Sequence, residues 1–167
     1  QARTLSASFS LNSYDLTVLA GSGGSVTGNG SFSHGSNPSI SAIPNTGYSF
    51  DGWNGEGTAD SNASSTTVDM SQARTLSASF SLNSYDLTVL AGSGGSVSGS
   101  GSFSHGTNPS ISATPDTGYS FNGWNGEGIA DPSAPSTTVD MSQARTLSAS
   151  FSLNSYDLTV LAESGGS

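Results

Sequence analysis

The sequence predicts a mainly β protein built as a tandem array of small modules, and three observations predict it. Gln1-Ala2-Arg3-Thr4-Leu5-Ser6-Ala7-Ser8-Phe9 returns as Gln72 to Phe80 and again as Gln143 to Phe151, a period of 71 residues. Between the copies, apolar residues alternate with polar ones at the period of two that half-buried strands require. No window sustains the i, i+3, i+4 spacing of an amphipathic helix. The first full period differs from the second only at positions 27, 29, 36, 43, 45, 51, 58, 61, 62 and 64. A fixed internal period of this kind is the signature of a repeat architecture.

Tyr14 to Ala20 alternates, placing Tyr14, Leu16, Val18 and Ala20 on one face of a first strand. Gly21-Ser22-Gly23-Gly24 turns the chain and Ser25-Val26-Thr27 reads as a short return strand. Gly28-Asn29-Gly30 breaks it, and Ser31-Phe32-Ser33 supplies one large apolar anchor. Ser39 to Ile43 is the next strand, ended by Pro44, Asn45 and Gly47. Tyr48-Ser49-Phe50 leads through Gly52 to Trp53, and residues 54–64 form the longest loop, where differences between copies crowd. Thr66 to Met70 and Arg74 to Phe80 read as a hairpin around Ser71-Gln72-Ala73, the second strand showing Leu76, Ala78 and Phe80 on one face. Six strands per module are expected.

This reading sets the boundaries. Residues 1–13 are the last strand of a preceding repeat plus a linker, 14–80 the first module and 81–84 a linker; 85–151 are the second module, and 152–167 a linker plus the first strand of a following repeat. A module this small buries only about 60% of its unfolded surface, so neighbours are expected to matter. Leu11, Leu82 and Leu153 put an apolar side chain where successive modules meet.

A formal charge of −9 and a pI near 4.1, with arginines 3, 74 and 145 as the only basic side chains, argue against nucleic acid and anionic membrane surfaces as partners. The absence of cysteine removes disulfides, thiolate metal sites and thiol nucleophiles. Apolar stretches of only a few residues predict no membrane insertion in this segment.

Tyr85-Asp86-Leu87-Thr88-Val89, Gly95-Ser96-Val97, Ile111-Ser112-Ala113-Thr114-Pro115, Gly118-Tyr119-Ser120-Phe121-Asn122-Gly123-Trp124 and Arg145 to Phe151, with their counterparts in the first module, resemble the divergent internalin-type B-repeat domain of bacterial surface proteins. The resemblance covers both full modules, and its hallmark is the Gly-Tyr-x-Phe-x-Gly-Trp segment. It implies a β-grasp-like module, extracellular or cell-surface arrays, and no catalytic residues. The sequence offers no helical segment where a β-grasp carries its helix, so a small β-sandwich stays open beside it.

Several residues invite sharper readings. Trp53 and Trp124 with Tyr48 and Tyr119 would stack sugars if exposed; as the largest apolar groups of a small module they are expected in the core instead. Asp51, Asn54, Glu56 and Asp60 offer oxygens in one loop, yet their spacing fits no calcium motif and Asn122 replaces Asp51 in the second copy, so a solvated loop is expected. His34 and His105 stand alone in Ser/Gly-rich loops and read as surface residues. The sequons at Asn29 and Asn62 do not recur in the second module and read as chance. No catalytic, metal or cofactor-binding residue is assigned, no cofactor is expected, and the chain is not expected to be an enzyme. The leading function is a structural stalk, spacer or extracellular fibre segment of a secreted or cell-surface bacterial protein. Its expected partners are neighbouring repeats, with head-to-tail self-association through strand pairing. The alternative is a multivalent adhesin module that binds a glycan or a host or surface protein.

Overall fold

The computed structural model describes residues 1–161, and the chain divides into two compact units between Asn83 and Ser84. The first contains β1 (Ser13–Ala20), β2 (Gly24–Thr27), β3 (Gly30–Ser33), β4 (Ser39–Pro44), β5 (Tyr48–Asn54), β6 (Ser65–Thr67) and β7 (Arg74–Leu82). The second repeats them as β8 (Ser84–Ala91), β9 (Gly95–Ser98), β10 (Gly101–Ser104), β11 (Ser110–Pro115), β12 (Tyr119–Asn125), β13 (Ser136–Thr138) and β14 (Arg145–Leu153). Among the described residues each unit is all β, with two small sheets and no helix.

The odd-numbered strands of the first unit form one sheet in the order β3-β1-β7-β5, and the even-numbered strands form the other in the order β2-β4-β6. Consecutive strands therefore lie in opposite sheets, and no strand is hydrogen-bonded to the one that follows it. At the centre of the larger sheet, β1 and β7 run parallel from Leu16↔Arg74 to Ala20↔Ala78. Parallel neighbours need a crossover of a dozen residues or more, and the whole stretch from β2 to β6 supplies it. The three-stranded sheet lies in the stretch of chain between these two parallel strands.

Each unit has its own core. In the first, Leu16 and Val18 of β1, Leu76 and Ala78 of β7 and Trp53 of β5 are buried together with Ile40 and Ala42 of β4. Val68 and Met70, just beyond β6, are completely enclosed. Val68 N donates to Pro38 O and Met70 N to Ser36 O, so this segment continues pairing with the chain that leads into β4. Tyr14, Val26, Phe32, Phe50 and Phe80 close the rim of the cluster. The second unit repeats the arrangement around Leu87, Ile111, Trp124, Val139, Met141 and Leu147.

Four expectations need correction. Gly30–Ser33 is a strand, opposite β1, which makes seven per module. The segment at Ser25 does not return along β1; β2 pairs with β4 in the other sheet. Residues 66–80 are not a hairpin, because β6 pairs with β4 while β7 is flanked on both sides by β1 and β5 and has no edge left for β6. Residues 1–12 and 154–161 form no strand, and Leu5, Phe9, Tyr156 and Leu158 are exposed; a lone strand has neither a ladder partner nor a face to bury. The rest of the expected C-terminal segment, 162–167, lies outside the described residues. Of the linker at 81–84, strand structure occupies all but Asn83.

Candidate functional site

The hallmark Gly47 to Trp53 builds β5, and its spacing poses a geometric problem. Phe50 and Trp53 are three apart, so a regular strand would aim them at opposite faces. The β5–β7 ladder resolves it: Phe50 opposes Phe80, but Gly52 opposes Ser79, leaving Asp51 as an extra residue in a bulge. Gly52 takes φ +152°, a value side-chain-bearing residues rarely adopt. The bulge resets the phase, and both aromatic rings face the core. Phe50 meets the Trp53 indole edge-on at 5.5 Å and Phe80 at 5.9 Å.

Trp53 then anchors the variable loop. Its main-chain N donates to Ser61 O at 2.8 Å and its indole Nε1 to Ala63 O at 3.0 Å, while Ala42 N donates to Ser64 O at 2.8 Å. In the second module Trp124 N, Trp124 Nε1 and Ala113 N bond to the carbonyls of Pro132, Ala134 and Pro135. Every one of these acceptors is a main-chain carbonyl, which proline retains although it lacks an N–H. The loop is thus free to vary in side chain, proline included, without loss of its anchor.

The aromatic groups weighed as a sugar platform are covered. Trp53 and Trp124 are each 6% exposed. A Cβ placed on Gly23 would lie 2.3 Å from Tyr48 Cδ1, and one on Gly24 2.3 Å from Phe80 Cζ, so the glycine turn lies directly on both rings. Tyr119 and Phe151 are covered in the same way by Gly94 and Gly95.

Of the four loop residues that offer oxygens, the two aspartates are engaged within the module. Asp51 Oδ1 accepts from Ser81 Oγ at 2.7 Å and Asp60 Oδ1 from Asn62 N at 2.8 Å. Asn122 makes the bond of Asp51, accepting from Ser152 Oγ at 2.8 Å. Asp131 accepts from the backbone and hydroxyl of Ser133, which together hold its carboxyl below the usual carboxylate range. Among the described residues, no three acidic or histidine side chains gather where a metal ion would need them. His34 and His105 meet Tyr14 and Tyr85 edge-on, at 5.9 and 6.1 Å between ring centroids. Asn29 has a structural task that the sequence did not reveal. Its Oδ1 accepts from Val18 N at 2.7 Å and its Nδ2 donates to Val18 O at 3.2 Å, extending the pairing along β1 just before β3 begins. Ser100 does this for Val89 in the second module.

The concavity that recurs in both modules is a shallow depression lined by Glu127, Gln143, Ala144, Arg145 and Thr146, and by Glu56, Gln72, Ala73, Arg74 and Thr75. Its arginine is already committed. Arg74 Nε donates to Asp69 O at 2.7 Å, and Nη2 donates to Asp69 Oδ2 at 3.3 Å and Ser71 Oγ at 3.2 Å. The Ser71 hydroxyl first, opposed by partial desolvation and then aided by Arg74, holds the Asp69 carboxyl below its ordinary range. Gly57 presses on the guanidinium, where a Cβ would come within 2.4 Å of Arg74 Nε. This is a braced corner between β6 and β7 with its charge neutralised internally, and it offers little to a ligand.

The family description that matches the chain is the divergent InlB B-repeat domain, found twice, over residues 14–84 and 85–155. No curated protein and no solved structure matches the chain.

Proposed function

The chain belongs to the divergent InlB B-repeat domain family, and on that premise we propose that its repeats extend a secreted or cell-surface bacterial protein as a stalk, spacer or fibre body. The family is associated with bacterial surface proteins, and its repeat domains are typically non-catalytic. One observation carries the reading: β7 ends at Leu82 and β8 begins at Ser84, so successive self-contained modules are joined through Asn83 alone. Modules that each complete their own core and follow one another with so little slack add length with each copy. Small-angle scattering on arrays of increasing copy number tests this. A maximum dimension that rises by the same increment per copy is expected, and growth as the cube root of mass overturns it.

The finer reading includes head-to-tail association, because residues 3–11 repeat the sequence of β7 and residues 155–161 that of the start of β1, the two strands that pair in each module. Light scattering over a concentration series, beside a form lacking residues 1–10, is its test. Association lost on truncation is expected; equal behaviour of the two forms overturns it. The adhesin alternative is less favoured, since the aromatic faces that would receive a sugar are covered by Gly23 and Gly24.

A further inference from the structure

The sequence contains four Asn-Gly pairs: Asn29-Gly30, Asn54-Gly55, Asn122-Gly123 and Asn125-Gly126. Asparagine is a thermolabile residue, and a following glycine removes the side chain that would shield the main-chain nitrogen from the asparagine carboxamide. The fold places these pairs in unlike settings. The Asn29 carboxamide is held at both ends by Val18, and Gly30 sits in the β1–β3 ladder opposite Leu16. Asn122 is tied across the sheet to the Ser152 hydroxyl, and Gly123 opposes Ser150 in the β12–β14 ladder. Asn54 and Asn125 close their ladders opposite Ser77 and Ser148, and the following glycines lie in exposed bends at φ +127° and +135°. Neither carboxamide has a hydrogen-bond partner among the described residues.

We propose that Asn54 and Asn125 are paired sites of spontaneous deamidation, one in each module, while Asn29 and Asn122 are protected by the fold. The main-chain nitrogen of Gly55 bonds to Asn54 Cγ, and the side-chain nitrogen leaves as ammonia, closing a five-membered succinimide. Water then opens the ring at either carbonyl, leaving a normal aspartyl or an isoaspartyl linkage; nothing is oxidised or reduced. The aspartyl product adds a carboxylate next to Glu56. The isoaspartyl product inserts a methylene into the main chain just before Gly55, a residue packed so closely on β7 that a Cβ there would lie 2.5 Å from Leu76 Cδ2 and 2.7 Å from Thr75 O. That linkage pushes the Gly55 to Gly57 segment off β7 and off the Arg74 corner. At the position of the protected Asn122 the first module already carries the aspartyl form. Asp51 occupies the place of Asn122 and makes the same bond to its serine, so an aspartyl at that position is structurally silent.

The test is to incubate the full chain, folded, in mildly alkaline buffer and to follow each pair by peptide mapping, with an isoaspartyl methyltransferase to count the rearranged linkage. A gain of about 1 Da is expected in the peptides carrying Asn54 and Asn125 at least several-fold sooner than in those carrying Asn29 and Asn122. Denaturant is expected to erase that ranking. Equal rates at all four sites in the folded chain, or a lead by Asn29 or Asn122, would overturn the proposal. The variant carrying Asn54→Ser and Asn125→Ser is expected to lose the early methyl-accepting fraction; if that fraction persists, the assignment is wrong.

Discussion

Trp53→Ala isolates the contribution of the hallmark. The indole is 6% exposed, packs edge-on to Phe50 and holds the carbonyl of Ala63. Truncating a buried aromatic costs about 3–5 kcal/mol, and the lost hydrogen bond, which leaves the Ala63 carbonyl needing water, adds about 1 kcal/mol. A core of this size supplies only about 3–5 kcal/mol in total, so the first module should unfold. The chain contains two tryptophans, one per module, and the variant leaves Trp124 as sole reporter of the second. Circular dichroism is expected to lose about half its cooperative β signal, while Trp124 fluorescence stays blue-shifted and melts as in the parent, because the second core draws on residues of its own unit. A thermal transition unchanged in amplitude and midpoint would refute the assignment of Trp53 to the core and with it the account of the bulge.

Gly23→Ala places a methyl group against the Tyr48 ring at φ +99° and should cost about 1–3 kcal/mol, measured by urea unfolding. Asn29→Ala strands the Val18 amide and should cost about 1 kcal/mol, whereas Asn29→Ser should cost less, since Ser100 makes the equivalent bond; comparing the two denaturation midpoints checks this. Asp69 and Asp140 have folded pKa values below their unfolded ones. Their contribution is therefore present above the unfolded value and is lost as pH falls through the folded one, below the ordinary carboxylate range. Carrying both Asp69→Asn and Asp140→Asn should flatten the acid limb of a plot of melting temperature against pH. Chelators should leave the melting temperature unchanged, because the loop carboxylates of Asp51 and Asp60 are already bonded to protein donors; a drop of many degrees would show an ion in that loop.

The strands were legible where local pattern decides them. The alternation at Tyr14, Leu16 and Val18 and at Leu76, Ala78 and Phe80 gave the correct faces, and the tryptophans went to the core as expected from their size. The pairing was illegible, and the reason is topological. Reading Arg74 to Phe80 as the partner of Thr66 to Met70 assumed that consecutive strands pair, as they do more often than not. Here each connection switches sheets, and the short turn Ser71-Gln72-Ala73 looks the same in sequence whether the chain reverses within one sheet or crosses to the other. The covered faces of Tyr48 and Phe80 were hidden likewise, because Gly23 and Gly24 reach them from a turn remote in sequence. Asn29 was read as a chance sequon because its second-copy counterpart is serine. Both side chains satisfy the same strand, a similarity of hydrogen bonding that the change of residue conceals.

Near-identical neighbours raise a question that the topology answers. The sequences of β1 and β8 are the same, as are those of β7 and β14, so side-chain chemistry cannot tell β7 whether to pair with its own β1 or with β8. Loop entropy is a weak judge of the converse error, β1 with β14. Lengthening the closure from Arg74 to Arg145 roughly doubles the loop, at a cost of about 0.6 kcal/mol. The decisive element is Asn83. A parallel β7–β8 pair would need a crossover of a dozen residues or more, and one residue separates them. Any state in which β1 takes β14 therefore leaves β7 and β8 without a central parallel partner. Correct pairing fills both central positions, and the mispaired state fills one. The brevity of the connection keeps identical modules from exchanging their strands.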